Sequence, residues 1–174
     1  MLDRLEGLDR ELIEKAQQAV AWAYAPYSLF AVGAAVRTNS GAIYAGANLE
    51  NASSGLTICA EAAALSAANA AGDLNIAAVA VVGFNFTGSA QASPVVMPCG
   101  ACRQLIAEVA QLAGADVRVI GCNGDLSRTV VSTIAEMLPN PFGPENLGVS
   151  RQWPALREEL RSSVGRLIAA RNRR

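Results

Sequence analysis

Histidine is absent from this chain of 174 residues. Any metal site must therefore be built from thiols and carboxylates, and any general acid or base must be something other than imidazole. No apolar run approaches the length needed to cross a bilayer, because alanine carries much of the 52% hydrophobic share. No apolar signal segment opens the chain, which begins Met1-Leu2-Asp3-Arg4-Leu5-Glu6. That start points to a reducing, cytoplasmic compartment in which structural disulfides are rare. With 14 basic and 15 acidic residues there is no global positive field, which argues against nucleic acid as a partner. Internal repeats and low-complexity tracts are also missing, and the length fits one main domain with its own core.

Against these absences the cysteines stand out. Cys59-Ala60-Glu61 is followed by Pro98-Cys99-Gly100-Ala101-Cys102, which supplies three soft ligands and one carboxylate. Zinc favours tetrahedral sulfur and nitrogen coordination, and a catalytic site keeps three protein ligands so that water can take the fourth position. A Cys-x-x-Cys pair is more often half of a structural zinc site or a redox pair. A structural site needs a fourth ligand, and Cys122 has no second ligand-type residue at metal spacing nearby. Cys59, Cys99 and Cys102 are therefore the expected zinc ligands. Glu61, two residues past the first thiol, is the expected general acid and base, placed beside the metal without binding it.

The periodicity of the chain predicts alternating elements. Leu5, Leu8, Leu12, Ile13, Ala16 and Val20 recur at helical spacing, so a helix ends before Pro26. Residues 32–37 and 42–47 read as strands around the turn Thr38-Asn39-Ser40-Gly41. A helix over 58–71, a buried strand over 77–84, a helix over 99–113 and a strand over 117–122 follow, then a short strand at Val130-Val131 and a helical turn over 134–138. This order implies an α/β fold, a mixed central sheet with helices on its faces. Both zinc half-sites fall at expected helix starts, where unpaired amides and the helix dipole stabilise thiolates.

At these residues the chain resembles the small, homotetrameric, three-cysteine cytidine deaminases. The resemblance runs in order through Pro26-Tyr27-Ser28, Phe30-Ala31-Val32-Gly33-Ala34-Ala35, Gly46-Ala47-Asn48-Leu49-Glu50-Asn51-Ala52, both cysteine motifs, and Leu138-Pro139 with Phe142-Gly143-Pro144-Glu145. It implies a three-layer α-β-α deaminase fold, bound zinc, and hydrolytic deamination of cytidine or deoxycytidine to uridine or deoxyuridine with release of ammonia. It also implies a homotetramer and a small pyrimidine nucleoside as the partner, with neither membrane nor nucleic acid. Asn48 and Glu50 would hold the ribose, although in isolation Asn48 reads as a turn residue. Phe30 would pack on the base, or simply fill the core. Phe142 would reach a neighbouring subunit's site.

Two departures from the family pattern bear on function. Three-cysteine members usually carry arginine directly after the catalytic glutamate, where it offsets thiolate charge; this chain has Ala62, with Arg103 as a candidate substitute. The second is a tail that makes residues 150–174 an addition to a catalytic domain spanning 1–149. Trp153, Leu156, Leu160, Val164 and Leu167 form its apolar stripe among arginines, a pattern expected to cover the protein itself or a sister subunit. Two other readings remain open: deamination of another aminated heterocycle such as a blasticidin-like nucleoside, and a non-catalytic zinc protein that binds partners through its tail.

Overall fold

Strand β3 (Ile76–Asn85) is apolar on both faces because helices cover both. The computed structural model describes residues 7–88 and 93–173; Leu5, expected on the first helix, lies outside them. The chain divides into two compact units, residues 1–141 and 142–174.

The first unit contains α1 (Gly7–Val20), β1 (Phe30–Thr38), β2 (Ile43–Ala47), α2 (Ala60–Ala70), β3, α3 (Gly100–Ala113), β4 (Arg118–Asn123), β5 (Thr129–Thr133) and α4 (Ile134–Met137). Its sheet has the order β2-β1-β3-β4-β5. Only β3 and β4 run parallel, with Ala80 opposite Ile120, as a crossover through α3 requires. The sheet is therefore mixed, and the helices form a layer on each side.

Strand alternation sorts the core. Ala78, Ala80 and Val82 pack with Leu12, Ile13 and Ala16 of α1, while Val79 and Val81 pack with Ala64, Leu65, Ile106 and Ala107 of α2 and α3. One residue on α1 departs from the expected stripe: Leu8 is exposed, and Asp9 faces inward instead. Asp9 Oδ1 accepts from Arg37 Nη2 at 3.2 Å and Oδ2 pairs with Arg118 Nε at 3.0 Å, so a buried carboxylate ties α1 to β1 and β4. Burial without those partners would be prohibitive.

Two glycines set how closely the covering segments approach. A Cβ at Gly46 would meet the backbone of Ala60 and Ala64, so α2 lies directly on β2. A Cβ at Gly121 would strike Met97 and the Val96 carbonyl, so the segment leading into α3 lies directly across β4. The second unit, residues 142–174, contains α5 (Val149–Arg171), a 23-residue helix.

Replacing Gly46 with alanine should force α2 away from the sheet and destabilise the protein by about 1–3 kcal/mol. Equilibrium urea unfolding measures this, and an unchanged midpoint would show that α2 can retreat without cost.

Candidate active site

The first two turns of α2 and α3 carry the chemistry. Cys59 and Cys99 are the residues immediately before each helix, in extended conformation, and Cys102 sits one turn into α3. The sulfurs of the two N-cap residues face each other. The Sγ atoms of Cys59, Cys99 and Cys102 all lie within 4.8 Å of one another, and those of Cys59 and Cys99 are 3.8 Å apart. Tetrahedral bonds of about 2.3 Å to one zinc ion would place two sulfurs about 3.8 Å apart, so the donor set fits the ion in both chemistry and spacing.

The electrostatics of the three thiols differ. Burial pushes the Cys102 thiol well above its ordinary range, reinforced by the Glu61 carboxylate and the neighbouring thiolates. Burial likewise raises Cys59. Cys99 is the exception: burial acts to raise it, but the backbone amides of Cys102 and Ala101 and the adjacent thiols outweigh that effect, and the net shift is downward. The amides at the start of α3 thus stabilise negative charge, as helix N-termini do.

Glu61, in the first turn of α2, is 4% exposed. Burial raises its pKa above the usual carboxylate value. It lines a cavity of about 170 Å³ together with Cys59, Cys99 and Asn48. Val32, Thr57, Val96 and Met97 complete most of the wall, and the sequence reading missed all four. The only signal for them was position, since Thr57 lies two residues before Cys59 and Met97 two before Cys99. A larger apolar hollow of 430 Å³ beside Val20, Val82 and Phe86 on the α1 side has no titratable group in its lining, so its size carries no chemistry.

Asn48 and Glu50 reach this region through a short ladder. Leu49 and Ile58 exchange backbone hydrogen bonds at 2.9 Å, which draws the segment after β2 alongside the approach to Cys59. The Asn48 carboxamide splints β1: Oδ1 accepts from Val32 N at 2.9 Å and Nδ2 donates to Phe30 O at 3.2 Å. Glu50 Oε2 accepts from the amides of Tyr27 and Ser28 at 2.9 and 3.3 Å. Hydrogen bonding from Ser28, with those amides, holds its pKa below the usual value. Phe30 is absent from the cavity lining, and its ring lies over Gly83. Phe142 belongs to the second unit and is 66% exposed.

Of the residues expected to manage charge, Ala62 offers none. Arg103 donates from Nε to Pro98 O at 2.8 Å and from Nη1 to Met137 O at 3.3 Å. It anchors the start of α3 to the end of α4, and its described bonds go to carbonyls.

Residues 7–113 match the model of the cytidine and deoxycytidylate deaminase zinc-binding region. A cytidine deaminase from Halalkalibacterium halodurans is 44% identical over 143 residues, covering 80% of this chain and 98% of that protein. One from Sporosarcina psychrophila is 38% identical and covers 82% of this chain and 96% of its own length. Among solved structures, a cytidine deaminase from Burkholderia pseudomallei superposes with a TM-score of 0.66 at 41% identity, covering 76% of this chain and 98% of that one. The corresponding enzyme from Mycobacterium tuberculosis gives 0.61 at 35%, over 77% of this chain and 97% or 96% of the solved chains. With its three thiols gathered at two helix starts and these similarities across most of its length, the chain belongs to the cytidine and deoxycytidylate deaminase family.

Proposed function

We propose that this protein is a cytoplasmic, zinc-dependent deaminase of free cytidine and deoxycytidine, with Cys59, Cys99 and Cys102 holding the metal and Glu61 moving the protons. The observation that carries this reading is the gathering of three sulfurs within 4.8 Å of one another, two of which line a single cavity with the buried Glu61 carboxylate. When bound, zinc supplies Lewis acidity, which in the best-known sites lowers the pKa of water from 15.7 to roughly 7.

The chain's own residues do the rest. Glu61 takes a proton from the attacking water and passes it to pyrimidine N3 while the water oxygen bonds to C4. It then takes the proton of the new C4 hydroxyl and delivers it to the exocyclic amine, the C4–N4 bond breaks as the C4 carbonyl forms, and ammonia leaves with uridine or deoxyuridine as product. A carboxylate raised by burial suits this exchange, because it holds a proton more readily near neutrality than an exposed one. Excess charge on the thiolates is offset in this reading by the amides at the start of α3, in place of the arginine absent at Ala62.

On the sugar side, Asn48 retains a second Nδ2 hydrogen and Glu50 retains acceptor capacity beyond the two amides, so both can take ribose hydroxyls while bracing β1 and the Tyr27-Ser28 turn. The cavity is smaller than the roughly 300–1,000 Å³ of most small-molecule sites. In this reading the protein is a homotetramer in which Phe142 of a neighbouring subunit reaches the site and Phe30 lies toward the base. Residues 1–149 form the catalytic domain in this reading, and 150–174 an extension.

The ultraviolet absorbance change of cytidine and deoxycytidine tests the proposal directly. Glu61→Gln should reduce kcat by about 10²- to 10⁴-fold while zinc content stays unchanged. Undiminished turnover in that variant would remove Glu61 from the mechanism, and turnover of a blasticidin-type nucleoside alone would change the substrate.

Thiol chemistry provides a second check. In metal-free protein, an alkylating reagent should modify Cys99 first, because it is exposed and its thiol pKa is lowered. Its labelling rate should rise with pH through a midpoint below that of an ordinary thiol. Cys122, fully buried with its pKa raised by burial, should react only on unfolding. Added zinc should protect Cys59, Cys99 and Cys102 but leave Cys122 unaffected, as mass spectrometry of the labelled peptides will show.

A further inference from the structure

Within its own unit, helix α5 presents an apolar stripe and has no buried residue. Leu156, Leu160, Val164 and Leu167 are between 44% and 72% exposed, and Trp153 heads the row. From Trp153 to Leu167 these residues follow at intervals of three, four, four and three, a mean of 3.5. That is the period of a seam between two helices in a left-handed pair, and Ile168, 52% exposed, flanks the seam beside Leu167. The occupant it fits is another helix.

We propose that α5 pairs antiparallel with α5 of a second copy of this chain, with Leu156 facing Leu167 of that copy. This register places Trp153 over the small Ala170, and Leu160 over Ser163, so large side chains meet small ones in the layers beside the leucine pair. The flanks agree. Glu159 meets Arg166 of the second copy, and by two-fold symmetry Arg166 meets its Glu159, giving two attractive pairs. Hydrogen bonds from Arg166 to the hydroxyls of Ser162 and Ser163, at 2.7 and 2.8 Å, hold that guanidinium along the helix flank. Arg157 runs beside Val164, where its aliphatic stem adds cover. A parallel pair would set Trp153 on Trp153 and Arg166 beside Arg171, joining like charges. Charge complementarity therefore selects both the partner and its direction. An anionic membrane suits the arginines but not Glu158 and Glu159, which interrupt the basic face.

The test places a photo-cross-linking amino acid at position 156 of the full chain. The expected product is a covalent dimer in which position 156 is joined to the turn around Leu167. Within one helix these positions lie roughly 16 Å apart, beyond the reach of the probe, so the link must pass between copies. Glu159→Arg and Arg166→Glu should each lower the dimer yield several-fold, and the two together should restore it. A link from 156 to 156, a link to residues 7–141, labelling only of added anionic vesicles or RNA, or no product at all would each overturn the proposal. The readout is independent of catalysis, so its failure and the failure of the deaminase reading are separately visible.

Discussion

Two helix N-termini must meet over one face of a sheet, and most of the catalytic unit serves that requirement. Three thiols brought to metal-binding distance carry mutually repelling charge once deprotonated, so they need amides to stabilise them and a backbone that cannot relax apart. The close approaches at Gly46 and Gly121 press α2 and the segment before α3 onto the sheet. Packing of Ala60 and Ala64 of α2, and of Ile106 and Ala107 of α3, against β1 and β3 then fixes both helices. The small residues of α2 act as spacers that let a functional helix sit low on the sheet, where Glu61 is buried beside Cys59.

Much of this was legible in the amino-acid sequence because the signals were local. The gathered thiols were marked by their spacing, the buried strands by unbroken apolar runs, and the helix ends by Gly72 and Gly114. Errors arose where a long-range partner decided the outcome. Leu8 fitted the helical stripe of α1, yet Asp9 took the inward position because Arg37 and Arg118 arrive from strands distant in sequence. For Arg103, a candidate substitute for the missing arginine, there was likewise no sign in the sequence of its bonds to two carbonyls, one of them 34 residues away. The wall residues Val96 and Met97 had no motif of their own. They are placed only by the path of the chain across Gly121.

Asn48 and Glu50 show how a residue can carry two readings at once. A sequence view offers turn or sugar contact as alternatives, whereas the hydrogen bonds make the structural role a fact and leave capacity for the other. A side chain already held by backbone partners has little rotamer freedom left to lose when a ligand arrives. The bracing that looks competitive with binding is a form of preorganisation.

Cys59 and Cys99 lie 40 residues apart, and α2, β3 and the Val96–Met97 segment all fall within that interval. An ion held between them closes this stretch as a covalent staple would, but reversibly. Because the unfolded chain lacks the assembled donor set, the folded state gains stability in proportion to the logarithm of free metal, about 4 kcal/mol at a thousandfold excess over the dissociation constant. Where such an ion binds, the stability of the fold would rise and fall with its supply.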